Sequence, residues 1–151
     1  MRNSRSMLDL VPEAASRMVC FVAIAELELS RALGVEVKVK ATSTLRDHEA
    51  QDELYAHGRT KPGAIKTNAR GGESFHNYGV AVDFAIFLDD KLTWDKRYYV
   101  MLGKIGMREG LTWGGDWDGD GKTDPNDWDL VHFQYTGGLT LADLQNGKRF
   151  A

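Results

Sequence analysis

The run Val80-Ala-Val-Asp83-Phe-Ala-Ile-Phe87 reads as a buried strand with a single acid in its middle. Such a strand belongs inside a sheet, covered on both faces. Burying an unpaired carboxylate there costs several kcal/mol, so Asp83 needs a partner or a metal. His76 stands upstream of it, before the turn Asn77-Tyr78-Gly79, and is the nearest candidate co-ligand. On a regular strand Asp83 shares a face with Ala81 and Ala85, whereas His76 has the parity of Val80 and Val82. The two side chains meet only if the chain turns between them, and Gly79 permits that turn.

A chain of 151 residues is expected to form a single domain spanning 1–151, burying roughly two-thirds of its unfolded surface without staples. Its 42% hydrophobic and 27% charged residues exclude a disordered or fibrous class. A net charge of −3 gives no general attraction for polyanions, so no nucleic-acid partner is expected. Lys61, Lys66 and Arg70 do leave a local basic patch in one loop. Cys20 is the sole cysteine, which excludes a disulfide framework, and its apolar helical context predicts a buried, inert thiol.

Arg2 and Arg5, followed by the apolar stretch from Met18 to Ala25, have the outline of a secretory leader. Pro12, Glu13 and Arg17 come first, however, and Glu26, Glu28 and Arg31 continue the same periodicity without a small-residue cleavage site. No run is long enough to span a bilayer. The expectation is a monomer, synthesised in the cytoplasm without a signal peptide, with no membrane partner.

Residues 9–33 read as one amphipathic scaffold helix, capped by Asp9 and stopped by Gly34. Alternation from Val35 to Ala41 predicts a half-exposed strand. A second helix is expected from Arg46 to His57, with Arg46 in its first turn and His48 and His57 on the surface. A cation is mildly unfavourable at a helix N-terminus, so Arg46 is either a solvated surface residue or a carboxylate-binding one. Gly58 to Glu73 is a long polar, glycine-rich connection of the kind that covers a substrate. A hairpin turn at 88–92 leads to a third helix over 94–109, with Tyr98, Met101, Leu102 and Ile105 inward. A short strand at 111–113 and a last helix at 139–145 complete an α+β domain, a small antiparallel sheet packed against helices.

Trp128-Asp-Leu-Val-His-Phe-Gln134 places a second histidine in a short apolar strand. His76, Asp83 and His132 together suit zinc, and three protein ligands leave a fourth position for water, as catalytic sites do. The competing reading is a buried His–Asp pair without metal. Asp129 shifts the balance: three residues before His132, it can take a proton from water acidified by zinc and pass it to a leaving amine. Arg46 then holds a substrate carboxylate or stabilises the oxyanion.

Ser74-x-His76-x-x-Gly79-x-Ala81-x-Asp83, followed by Asp129-x-x-His132, resembles the D-Ala-D-Ala carboxypeptidase (VanY-like) zinc peptidases. It looks most similar to the phage-type endolysins and bacterial enzymes that cut the L-alanyl-D-glutamate bond of peptidoglycan. Leu45-Arg46, Gln51, Leu54-Tyr55, the glycine-rich loop from Gly58 to Gly72, and Trp113-Gly-Gly-Asp-Trp117 extend the likeness across roughly residues 40–135. The resemblance implies the zinc-peptidase fold shared with Hedgehog domains, with His76, Asp83 and His132 as zinc ligands and Asp129 as the catalytic base. It also implies Arg46, Ser74 and Gln51 as substrate contacts and a peptidoglycan stem peptide as partner. The family's base is often glutamate, so Asp129 is a shorter version. Two other outcomes stay open: a D,D-carboxypeptidase removing terminal D-Ala, and a non-enzymatic Hedgehog-like zinc and calcium binding module.

Residues 116–127 match an EF-hand loop, with acids at the first, third, fifth, ninth and twelfth positions and Gly121 at the sixth. The expected calcium ligands are Asp116, Asp118, Asp120, the Lys122 carbonyl, Asp124 and Asp127. A glycine-rich approach and a following strand are unlike the flanks of a paired EF-hand, and a solvated acidic turn is the plain alternative. Because Asp127 closes the loop just before Asp129, calcium is expected to order the segment that carries the base.

Overall fold

The computed structural model describes residues 1–122 and 128–150. Helix α1 runs from Pro12 to Leu33, with proline at its start and Gly34 ending it in the left-handed conformation (φ 68°). Asp9 does not cap it. Asp9 instead closes a short 3-10 turn, Met7–Asp9, and its carboxylate accepts from Arg2 and Ser4. Ala14, Met18, Phe21, Ala25 and Leu29 form the buried stripe of α1. Cys20 is exposed, contrary to expectation. Two residues beyond Met18, it points about 200° round the helix, where an apolar neighbourhood in sequence is no longer the buried face.

Strand β1, Val37–Ser43, pairs antiparallel with β2, Ala81–Leu88. Val37 and Val39 donate their backbone N–H groups to Ser30 Oγ and Glu26 Oε2 of α1, both at 2.9 Å. The helix thus covers an edge that would otherwise be open. β2 turns through Asp89 and Asp90, both at positive φ (47° and 65°), into β3, Lys91–Thr93. This is the expected hairpin. The opposite end of β2 pairs with β5, His132–Gln134, which in turn pairs with β4, Thr112–Trp113. Among the described residues the sheet order is β1-β2-β5-β4, with β3 beside β2.

The inner face of this sheet carries Val82, Phe84, Ile86 and Phe133, packed with α1 and with α3, Lys96–Arg108. Phe21 meets Phe133 and Phe84 with ring centres 5.0 and 5.8 Å apart. On α3 the fully buried aromatic is Tyr99, not Tyr98, and its hydroxyl donates to the Phe84 carbonyl at 2.9 Å. Helix α2 spans His48–Ala56 with Asp47 as its cap, so Arg46 precedes the helix instead of lying in its first turn. Helix α4 is Leu141–Gln145. Among the described residues no helix is long and apolar enough to cross a membrane.

Candidate active site

Asp83 is in register with His132 across β2–β5 and with Ser43 across β1–β2. Residues directly opposite in antiparallel strands present their side chains on the same face, here the one turned from the aromatic core. His76 reaches this face from a 3-10 turn, Phe75–Tyr78. Ser74 caps that turn and accepts from the His76 N–H at 3.3 Å, while Asn77 closes the reciprocal bond. Gly79, at φ 69°, then redirects the chain into β2. The break needed to bring His76 and Asp83 together is therefore built from Ser74, Asn77 and Gly79.

His76 Nε2 lies 3.2 Å, and His132 Nδ1 3.4 Å, from the same Asp83 oxygen, Oδ1. Ligands about 2.0–2.1 Å from a tetrahedral zinc stand roughly 3.3 Å from one another, so the spacing fits that ion. Both rings also carry suitable tautomers. His76 Nδ1 donates to the Thr44 carbonyl at 2.8 Å, and His132 Nε2 donates to Gln134 Oε1 at 2.8 Å. A neutral imidazole that donates from one nitrogen keeps its lone pair on the other, so the nitrogen beside Asp83 is the one each ring would offer to a metal. Such supporting bonds are the usual companions of metal-bound histidines.

Charge in the metal-free chain follows this clustering. Burial pushes the Asp83 carboxyl up, yet His76 and His132 outweigh it and hold it well below the usual carboxylate range. Burial likewise pushes His132 down, but its hydrogen bond to Asp83 and that residue's charge raise it above an ordinary imidazole. Asp129 behaves differently: burial pushes its carboxyl above the usual range. Half-buried, it places Oδ2 3.9 Å from His132 Nδ1. Its N–H donates to the Gly114 carbonyl at 3.1 Å, and Gly114 donates to the His132 carbonyl at 2.8 Å.

Arg46 is 8% exposed and sits beside Asp83, Nη2 to Oδ2 at 3.9 Å. Nη1 donates to Gln51 Oε1 at 2.8 Å and Nη2 to Ser43 Oγ at 2.9 Å. Nε is buried and has no hydrogen-bond partner among the described residues. Gln51 is buried and does not line the cleft; it holds Arg46 and donates to the Ala69 carbonyl at 2.8 Å. Ser74 does line the cleft, a space of about 500 Å³ bounded by residues 66–69 on one side and by Trp117 and Trp128 on another. The glycine-rich connection thus supplies a wall of the cleft.

Asp116, Asp118 and Asp120 bring one carboxylate oxygen each within 4.8 Å of one another. Asp116 is buried and accepts from the N–H groups of Asp120 and Gly121 at 3.1 and 2.9 Å, while the Lys122 N–H donates to Asp120 at 2.7 Å. Asp124 and Asp127 lie outside the described residues. Sequence reasoning missed Thr44, Ser43 and Gln134. The first acts through its backbone and leaves no signal in side-chain chemistry. Gln134 had one, because two residues beyond His132 on a strand it shares that residue's face.

Residues 67–135 match a protein family described as D-alanyl-D-alanine carboxypeptidase. The peptidoglycan L-alanyl-D-glutamate endopeptidase CwlK of Bacillus subtilis (strain 168) is 44% identical over 94 residues, covering 56% of this chain and 55% of that protein. The chain therefore spans about half the length of that relative. Two solved structures share the fold. The Serratia marcescens L-Ala D-Glu endopeptidase ChiX aligns with TM-score 0.50 and 21% identity over 94% of this chain and 91% of its own. The D,D-pentapeptidase VanY of the VanB-type vancomycin-resistance cassette, solved with Zn(II), aligns with TM-score 0.54 and 19% identity over 97% and 84%. The segment that carries the site, residues 67–135, is thus similar to the D-alanyl-D-alanine carboxypeptidase family, and the chain as a whole shares its fold with ChiX and VanY.

Proposed function

We propose that the chain is a zinc metallopeptidase that hydrolyses peptidoglycan stem peptides at the L-alanyl-D-glutamate bond. One observation carries the reading: His76, Asp83 and His132 converge at zinc-ligand spacing on the floor of a cleft that Asp129 and Arg46 also line. Zinc held by those three side chains supplies Lewis acidity, polarising a carbonyl and lowering the pKa of water to about 7.

The remaining work falls to this chain's own groups. Asp129 takes a proton from the water that adds to the amide carbon. It returns that proton to the nitrogen as the carbon–nitrogen bond breaks, and the new carboxylic acid gives its own proton to the departing amine, releasing a carboxylate and an ammonium group. Arg46, with N–H groups left over from Ser43 and Gln51, stabilises negative charge on the carbonyl oxygen. Residues 66–69, Trp117 and Trp128 hold the flanking substrate.

The choice of bond rests on the two endopeptidases among the similar proteins, and the family description supports a D,D-carboxypeptidase as the second reading. Mass spectrometry of products from purified sacculi separates them. New D-glutamate amino termini support the first reading, and free D-alanine supports the second. Absence of both, with zinc bound, would leave the Hedgehog-like binding module.

Two finer parts belong to this reading. The chain acts as a phage-type endolysin, made in the cytoplasm and reaching the wall through membrane lesions. The burial of Ala14, Met18, Phe21 and Ala25 in the core supports the scaffold reading of the apolar stretch. Expression that lyses cells only after the membrane is permeabilised would bear the endolysin role out. Calcium, held by the loop that starts at Asp116, orders the segment bearing Asp129; the convergence of Asp116, Asp118 and Asp120 supports that part.

A further inference from the structure

Residues 44–46, between β1 and α2, serve the site three times over. The Thr44 carbonyl fixes the tautomer of His76, the Arg46 N–H donates to the His76 carbonyl at 3.1 Å, and the Arg46 side chain lines the cleft. A segment with these duties must be held from its other edge. That edge is occupied by the amino-terminal arm, which is joined to it through an antiparallel bridge between Asn3 and Arg46. Ser4 N–H donates to the Leu45 carbonyl at 2.8 Å, Thr44 N–H to the Ser4 carbonyl at 2.8 Å, and Asp47 N–H to the Arg2 carbonyl at 2.9 Å. Thr44 Oγ1 adds a bond to the Ser6 carbonyl at 2.9 Å.

The arm also reaches the guanidinium through one side chain. Ser43 Oγ donates to Asn3 Oδ1 at 2.9 Å and accepts from Arg46 Nη2 at 2.9 Å. A serine hydroxyl has a single proton, so committing it to Asn3 turns its lone pairs toward Arg46. Without Asn3 the hydroxyl is free to rotate, and its proton can face the cation it should accept from. Gln51 secures the other side of the same guanidinium, so Arg46 is clamped between the arm and α2.

We infer that the amino-terminal arm is a working part of the site, and that Asn3 is a positioning residue which orients Arg46 through the Ser43 hydroxyl. The inference rests on the reading of Arg46 as a group that meets the reacting carbonyl. A misplaced charge weakens transition-state contact more than substrate or metal binding.

The test is steady-state hydrolysis of solubilised muropeptides by the full chain carrying Asn3→Ala, Asn3→Asp, Arg46→Ala, and Asn3→Ala with Arg46→Ala. Zinc content and thermal midpoint are measured for each. Asn3→Ala should lower kcat by about tenfold, with KM and zinc content near wild type. Asn3→Asp, which keeps the acceptor oxygen, should recover most of that loss. In the Arg46→Ala background, Asn3→Ala should cost nothing more, because a residue acting through another has no separate effect. Wild-type kcat in Asn3→Ala, or an equal loss with and without Arg46, would overturn the inference while leaving the role of Arg46 standing. Full activity in Arg46→Ala would overturn both.

Discussion

Gly114 and Asp129 are packed backbone against backbone: a Cβ on Gly114 would sit 2.1 Å from the Asp129 carbonyl oxygen. Two hydrogen bonds, from Asp129 to Gly114 and from Gly114 to His132, bracket this contact. Asp129 and His132, the proposed base and proposed third zinc ligand, are therefore placed by a residue without a side chain. Gly114→Ala has nowhere to put its methyl group except by moving Asp129. It should lower stability by about 2–4 kcal/mol and weaken zinc binding at the same time. Denaturant unfolding and chelator competition on one preparation check both, and a variant with wild-type values for each would show that the contact relaxes freely.

Gln134 holds His132 in the tautomer that turns Nδ1 toward Asp83. Gln134→Leu keeps the bulk and removes the acceptor, so the ring loses its fixed proton. Zinc affinity should fall by about 10- to 100-fold, whereas secondary structure should be unchanged. Titration of the metal-free chain with zinc against a competing chelator reads this directly, without reference to activity.

These two residues show where sequence reasoning ends. The lone acid in an apolar strand was legible because burial makes an unpaired carboxylate expensive, and it led to His76 and His132 by chemistry alone. The break at Gly79 was legible because two side chains of opposite parity, His76 and Asp83, meet only across one. The sheet, the α1 scaffold and the β2–β3 hairpin followed from periodicity and turn residues. Long-range pairings left no such trace: Asn3 beside Ser43, Thr44 under His76 and Gly114 against Asp129 are unrelated in local pattern. Cys20 failed for another reason, because the buried stripe of a helix is narrower than the apolar neighbourhood in which it stands. Tyr98 packs against the core only in part, and Tyr99 takes the fully buried place.

Asp129 is raised above the usual carboxylate range first of all by burial, and its Oδ2 stands 3.9 Å from His132 Nδ1. If it moves the proton during hydrolysis, Asp129→Asn should lower kcat by about 10²–10⁴-fold with little change in KM. Zinc content should remain at one equivalent, since His76, Asp83 and His132 are untouched. Loss of zinc along with activity would mean that Asp129 is structural instead. Retained activity would assign the proton transfer to another group.

Phe133 separates His132 from Gln134 and points the other way, into the rings of Phe21 and Phe84. Its burial locks β5 in register, and register decides which face every residue of that strand presents. Phe133→Ala should cost about 3–5 kcal/mol, and Phe133→Leu distinctly less. Thermal or denaturant unfolding ranks the two. Equal losses would mean that the pocket collapses around either residue and that the aromatic contacts contribute little.

The calcium reading makes the sharpest demand on the segment before Asp129. Asp116 is already buried with its carboxylate satisfied by the Asp120 and Gly121 N–H groups, so that end of the loop is formed by the backbone. Asp118 and Asp120 are exposed, and bringing their like charges together without a counter-ion is unfavourable even in screening solvent. A cation relieves that repulsion and gives the loop a reason to close. Peptidase activity at buffered zinc should therefore rise with calcium in the wild type, and the rise should vanish in Asp118→Ala/Asp120→Ala. The double variant is expected to fold and bind zinc normally, because neither side chain touches the core. Equal activity in all four samples would sink the idea and leave the loop as a solvated acidic turn.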